Sequence, residues 1–240
     1  MVSIALLVES ALTLGLSLLS LFVSIKTFQK HREDKLSPQI FLAFMLLFFF
    51  LSYITEFVVD LYDINLELTG EPLYGDLSED LRQAVTWASV ALVPVFGVLF
   101  ALEILQPRRK RLFQVLDALV FVLFMALYYL FPHTSVVYEE FGAQVNEINP
   151  SLEWSIACYI VSLQSFIPGL IFLVYGLKHA ALDRKRALLM SLGFFIISYF
   201  GFFSDVLLFP PTITIRRAFL FAGVLLVYVA SGAGRGRGKV

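Results

Sequence analysis

Carboxylates and guanidinium groups set inside apolar runs are the residues of this 240-residue chain with most chemical capacity. An ionisable side chain in a membrane-spanning segment costs at least about 2.5 kcal/mol by insertion scales, so each needs a partner, an aqueous cavity or a function. Glu9, Glu56, Asp60 and Asp205 are the carboxylates, and Arg82, Arg216 and Arg217 are the arginines that stand apart from every basic cluster. Glu56 and Asp60 are four residues apart, which places both on one helix face. A ring built from Glu9, Glu56, Asp60, Arg82, Asp205 and Arg216 could bind a cation, a proton or a zwitterionic solute, with arginines tuning the carboxylates. The same residues could equally form structural ion pairs at a membrane interface. Deeper in the runs lie Ser52, Tyr53, Gln164, Ser198 and Tyr199, with prolines at 94 and 168. They mark either the midplane site of a carrier or hydrogen bonds that stitch helices together.

Other chemistries fail on inventory. Of the three histidines, His133 falls in a different loop set from His31 and His179, so no zinc-ligand cluster can form. Cys158 is the sole cysteine and implies neither a disulfide nor a thiolate metal site. The Gly-Ala-Gly-Arg-Gly-Arg-Gly-Lys tail lacks the spacing and the Ser or Thr of a phosphate loop, and reads as a basic tail, 233–240, on anionic lipid. No lysine stands between Lys185 and Lys239, which excludes a retinal attachment site in the last helix. No serine has a base nearby. The expectation is a non-enzyme without cofactor or metal, and the net charge of −1 gives no reason to expect nucleic acid as a partner.

The elements that carry these residues are set by composition. The chain is 59% hydrophobic and 15% charged, far from the quarter charged of a soluble domain. Runs at about 2–25, 38–62, 82–105, 112–132, 152–177, 187–209 and 216–232 reach spanning length. Helix is the form in which a span satisfies its own backbone, and the runs lack the alternation of barrel strands. The first run has no basic segment before it and is interrupted by Glu9, so it reads as a retained span. Lys and Arg cluster at 26–35, 108–111, 178–186 and 235–239, whereas the loops at 63–80 and 139–147 hold acidic residues and no base. Basic loops resist translocation, so the alternation predicts an outside N-terminus and a cytoplasmic C-terminus. Glu103 and Asp117 flank the 108–111 cluster and read as its counter-charges.

An internal repeat organises the runs. The segment 82–95 matches 216–229 at seven of fourteen positions, starting with Arg82 on Arg216. Phe48-Phe49, Ser52-Tyr53, Phe57 and Leu61 fall on Phe194-Phe195, Ser198-Tyr199, Phe203 and Leu207 without a gap. Both pairs run in the same direction, as a tandem duplication separated by one inverting helix requires. The predicted fold is an all-α integral membrane protein, seven transmembrane helices in a 3+1+3 tandem-repeat bundle, with repeats at 1–105 and 152–232. At the level of topology it resembles the three-plus-one-plus-three carriers of the sugar-transporter and PQ-loop type, and the seven-helix plan of opsins and receptors. Pro38-Gln39 echoes the PQ-loop motif, but only at helix 2. Three functions follow: a small-solute or ion carrier of the cell membrane with an outward-facing charged vestibule, a receptor-like module, or a scaffold in a membrane complex. The expected partners are the lipid bilayer, a small polar or cationic ligand, and a cytoplasmic protein at the basic loops.

Overall fold

In the computed structural model, helix α1 (Ile4–Asp34) continues nine residues beyond the apolar run that defines its span. The extension, Lys26 to Asp34, contains Lys, Gln, Arg and Glu, all good helix formers in water. It stops at Lys35, which takes φ 52° and donates its backbone N–H to the His31 carbonyl at 2.7 Å, a left-handed helix cap. Helix α2 then opens with Ser37-Pro38, proline being suited to a first turn that needs no N–H donor. The structure describes residues 4–69, 76–105, 110–130, 134–140, 143–149, 152–178, 181–202 and 213–232.

These residues form seven helices: α1, α2 (Ser37–Thr69), α3 (Asp76–Leu105), α4 (Lys110–Leu130), α5 (Leu152–Lys178), α6 (Ala181–Gly201) and α7 (Ile213–Ser231). The seven-helix count agrees with the sequence reading. Helix ends differ, because hydropathy marks the part of a helix that lies in lipid and not where its hydrogen bonding stops. Thus α2 runs seven residues past position 62, and α6 starts six residues before 187. The connection between α4 and α5 carries an antiparallel hairpin, β1 (Thr134–Glu140) with β2 (Ala143–Asn149), in register from Thr134 opposite Asn149 to Glu140 opposite Ala143.

Among the described residues five helices are long and apolar enough to cross a bilayer: Leu7–Asp34, Ser37–Tyr62, Ala84–Leu105, Lys110–Leu130 and Ile156–Lys178. The chain is a polytopic helical membrane protein, and its outward apolar side chains meet lipid. Six helices close a ring, in which α1 packs on α2, α2 on α3, α3 on α5, α5 on α6, α6 on α7, and α7 back on α1. Helix α4 stands outside this ring against α3 and α5, burying Asp117, Phe124 and Tyr128 while exposing Leu116, Leu119, Val122 and Leu123.

Small residues set the close approaches. At the α6–α7 contact a Cβ on Gly193 would lie 2.9 Å from the Gly223 carbonyl oxygen, so the two backbones meet where side chains are absent. Hydroxyls tie other pairs: Ser24 to the Ala43 carbonyl, Thr86 to Thr55 and Ser191 to the Gly169 carbonyl, all at 2.7–2.8 Å. Between the bundle's two ends Leu16, Met45, Leu46, Phe49, Leu220 and Val224 form an essentially inaccessible apolar core, with buried hydroxyls beside it.

Candidate functional site

Two arrangements, one at each end of the ring, gather charged side chains from several helices. The first centres on Arg217 of α7. Its Nη1 donates to Asp60 Oδ2 of α2 at 3.0 Å, and its Nη2 lies 3.2 Å from Glu9 Oε1 of α1. All three side chains are buried. Ser10 and Thr13 stand beside the Asp60 carboxylate, and Thr13 also donates to the Glu9 carbonyl at 2.8 Å. Two carboxylates sharing one planar guanidinium fork fasten α1, α2 and α7 at the end of the bundle that carries the acidic loops.

The sequence reading brought Glu9 and Asp60 to one depth, and the structure joins them. It chose Arg216 for the site, whereas Arg217 holds this junction and Arg216 Nε donates to the Phe200 carbonyl at 3.3 Å. Adjacent helical residues point about 100° apart, so only one can face the ring interior. Glu56 lies one turn from Asp60 on α2, half-buried. Asp205 and the side chain of Arg82 lie outside the described residues.

The five midplane candidates are not brought together. Ser52 donates to the Phe48 carbonyl of its own helix at 2.9 Å. Ser198 donates to the Ser165 carbonyl at 2.6 Å and the Phe194 carbonyl at 2.7 Å, joining α6 to α5. The Tyr53 ring packs 4.8 Å from Phe49, and the exposed Tyr199 ring packs 4.9 Å from Phe200. Gln164 points away from the ring interior and donates its amide N–H to Asp117 of α4.

That last contact corrects the role expected of Asp117. Among the described residues it pairs with no member of the 108–111 cluster. It is buried against Gln164, leaving Asp117 Oδ2 and Gln164 Oε1 without a hydrogen-bond partner among the described residues. Glu103 does take the expected role and pairs with Lys110.

The second arrangement is a cavity of about 290 Å³ at the opposite, basic end of the ring. All six ring helices line it, through Lys30, Leu42, Phe100, Tyr175, Arg186 and Ser231 among others. Its apolar wall includes Phe100 and Phe172, which lie 5.5 Å apart between ring centroids and stack on Phe194 at 6.2 Å and 5.8 Å. Lys30 Nζ donates to the Gly232 carbonyl at 2.9 Å and the Ser231 carbonyl at 3.4 Å. Gly232 takes φ 66°, so the lysine caps the C-terminal carbonyls of α7 and ties them to α1. The sequence reading found no site at this end.

A row of hydroxyls on α1 joins the two ends. Ser10, Thr13, Ser17, Ser20, Ser24 and Thr27 recur at spacings of three and four and are all buried. Thr13, Ser20 and Thr27 donate to carbonyls one turn earlier, and the hydroxyl of Ser17 finds no partner among the described residues. From Glu9 to Thr27, a lining residue of the cavity, eighteen residues at 1.5 Å each span about 27 Å, close to the thickness of a bilayer's hydrocarbon core. No family model matches the chain, and no curated protein shows significant similarity to it.

Proposed function

We propose that this chain is a non-enzymatic small-solute carrier of the cell membrane, with its N-terminus outside and its basic end in the cytoplasm. The observation that carries the reading is the pairing of a cavity at one end of a six-helix ring with a buried ion cluster across the other end. A carrier needs access from one side at a time. Here Glu9, Asp60 and Arg217 act as the outer gate in its closed state, and the cavity is the inner access path.

The helix order supports two units moving against each other. If 1–105 and 152–232 are repeats, α1 corresponds to α5, α2 to α6 and α3 to α7. Rotation by half a turn then carries the α1–α2 contact onto α5–α6, α2–α3 onto α6–α7, and α3–α5 onto α7–α1, and all six contacts occur. Helix α4, the inverting element, has no counterpart and stands outside the ring. Carriers with parallel repeats bind substrate at the interface between the repeats. The two inter-repeat joints are α3–α5 and α7–α1, and the α7–α1 joint holds the Arg217–Glu9 contact at one end and the Lys30–Gly232 contact at the other.

The test needs no substrate. In a Cys158→Ser background, single cysteines replace Ser17 in the hydroxyl row or Met190 in the cavity, and a membrane-impermeant maleimide is applied from each side. The native gate should shield position 17 from the outside and leave position 190 open to the inside. Arg217→Gln should raise outside labelling at 17 and reduce inside labelling at 190. Unchanged labelling at both positions would overturn the gate.

A further inference from the structure

We infer that the basic-end cavity binds an anion, a carboxylate or phosphate group carried on an apolar body. This rests on the cavity being the ligand site of the carrier reading, and it reverses the charge of ligand suggested by the carboxylates at the other end. Among the described residues two cations line the cavity, Lys30 of α1 and Arg186 of α6, and no acidic side chain does. These helices are not neighbours in the ring, so the positive charge approaches from two separate walls. Lys30 is engaged with backbone carbonyls and Arg186 forms no ion pair among the described residues, so no described carboxylate pairs with either charge.

A cleft of one sign between low-dielectric walls focuses its field and concentrates the opposite ion. The guanidinium of Arg186 offers the paired donors that carboxylates and phosphates accept. The remaining polar lining fits the same ligand. The Tyr175 hydroxyl can donate, and the Gln39 amide, whose oxygen is buried without a partner among the described residues, can accept from a hydroxyl or turn its NH₂ toward an anion. Phe100 and Phe172 supply rings for an apolar body. At roughly 30 Å³ per water, the space holds about ten waters, enough for a small organic acid.

The chemistry is shared by a dissolved organic anion and by an anionic lipid headgroup, and one experiment separates them. The full chain is placed in phosphatidylcholine nanodiscs, and saturation-transfer NMR titrates benzoate, phenyl phosphate and the near-isosteric neutral benzamide, with empty discs subtracted. The two anions should saturate, and benzamide should bind at least about tenfold more weakly, the factor for about 1.4 kcal/mol. Arg186→Gln should weaken anion binding by about tenfold, Arg186→Lys should retain most of it, and Arg184→Gln, at an exposed position that does not line the cavity, should leave it unchanged.

Phosphatidylglycerol in the discs that competes with phenyl phosphate identifies a lipid headgroup as the occupant, and absence of competition identifies a dissolved anion. Equal binding of benzoate and benzamide, no saturable anion binding, or an unaffected Arg186→Gln protein would each overturn the inference. If Arg186→Gln does not fold, the benzoate–benzamide comparison on the native chain decides. Binding is read at equilibrium, apart from accessibility. Anion binding with unchanged maleimide labelling keeps the site and removes the carrier, and the reverse pattern keeps the carrier and removes the anion.

Discussion

Replacing Arg217 by glutamine tests whether the three-residue cluster is the dry junction that its geometry describes. The side chains of Arg217, Glu9 and Asp60 are 9%, 12% and 7% exposed, at N–O distances of 3.2 Å and 3.0 Å. An exposed ion pair would contribute between about 0 and 1 kcal/mol. Burial changes the scale: at an effective dielectric near 20, unit charges about 4 Å apart interact by about 4 kcal/mol. Glutamine removes the guanidinium that the two buried carboxylates share, and breaking a buried pair in this way costs about 3–5 kcal/mol. The triple substitution Glu9→Gln, Asp60→Asn, Arg217→Gln removes the charges together and should return to within about 1 kcal/mol of the native chain, since neutralising a whole buried network is often nearly neutral. Unfolding in mixed bicelles, followed by alkylation of the sole thiol at half-buried Cys158, measures both proteins. A loss below about 1 kcal/mol for Arg217→Gln would mean that the cluster is solvated and the electrostatic argument is wrong.

Asp117→Asn should be tolerated or stabilising, because its amide can donate to the orphaned Gln164 oxygen while accepting from the Gln164 amide; Asp117→Leu should cost about 1–3 kcal/mol by stranding Gln164, and equal losses in a bicelle unfolding assay would refute the pairing. Gly223→Val should separate α6 from α7, since a Cβ alone already meets Ile196 and Ile197 at 3.0 Å, with a loss of about 1–3 kcal/mol read as a lower unfolding midpoint. Glu103→Gln should change stability by less than about 1 kcal/mol, because Lys110 is partly open to solvent, and a larger loss would show that this pair matters more than its surroundings suggest.

How much of this arrangement was legible follows from what a bilayer does to sequence pattern. Helix number was readable because a helix must be apolar over about 20 residues to cross lipid, and seven such runs stand in the chain. The depth of Glu9 and Asp60 was readable by counting from the helix ends. Rotation was harder. In a soluble helix an apolar stripe names the inward face, but in lipid both faces are apolar and that signal disappears. Arg217 shares its buried face with Leu220, Val224 and Val227, at spacings of three, four and three, yet exposed Phe219 and Leu225 are just as apolar. Nothing in hydrophobicity separates Arg217 from Arg216. Asp117 misled for the same reason: six residues from Arg111 is about 9 Å along the axis, near enough to suggest a counter-charge, but about 240° around it.

The inward face was nevertheless written in the chain, in inverted form. The row from Ser10 to Thr27 keeps helical spacing throughout and is buried at every position, while Leu18, Phe22 and Ile25 of the same helix are exposed. A hydroxyl can satisfy itself on a carbonyl one turn back, so small polar residues enter a membrane interior cheaply and let neighbouring helices approach. Reading α1 for ionisable groups alone finds Glu9 and misses the face that Glu9 belongs to. The same logic applies at the basic end, where Lys30 and Arg186 lie within the clusters from which the sequence reading takes its orientation. A signal read for the orientation of the whole chain conceals which of its members face a cavity, and the packing of six helices picks those members out.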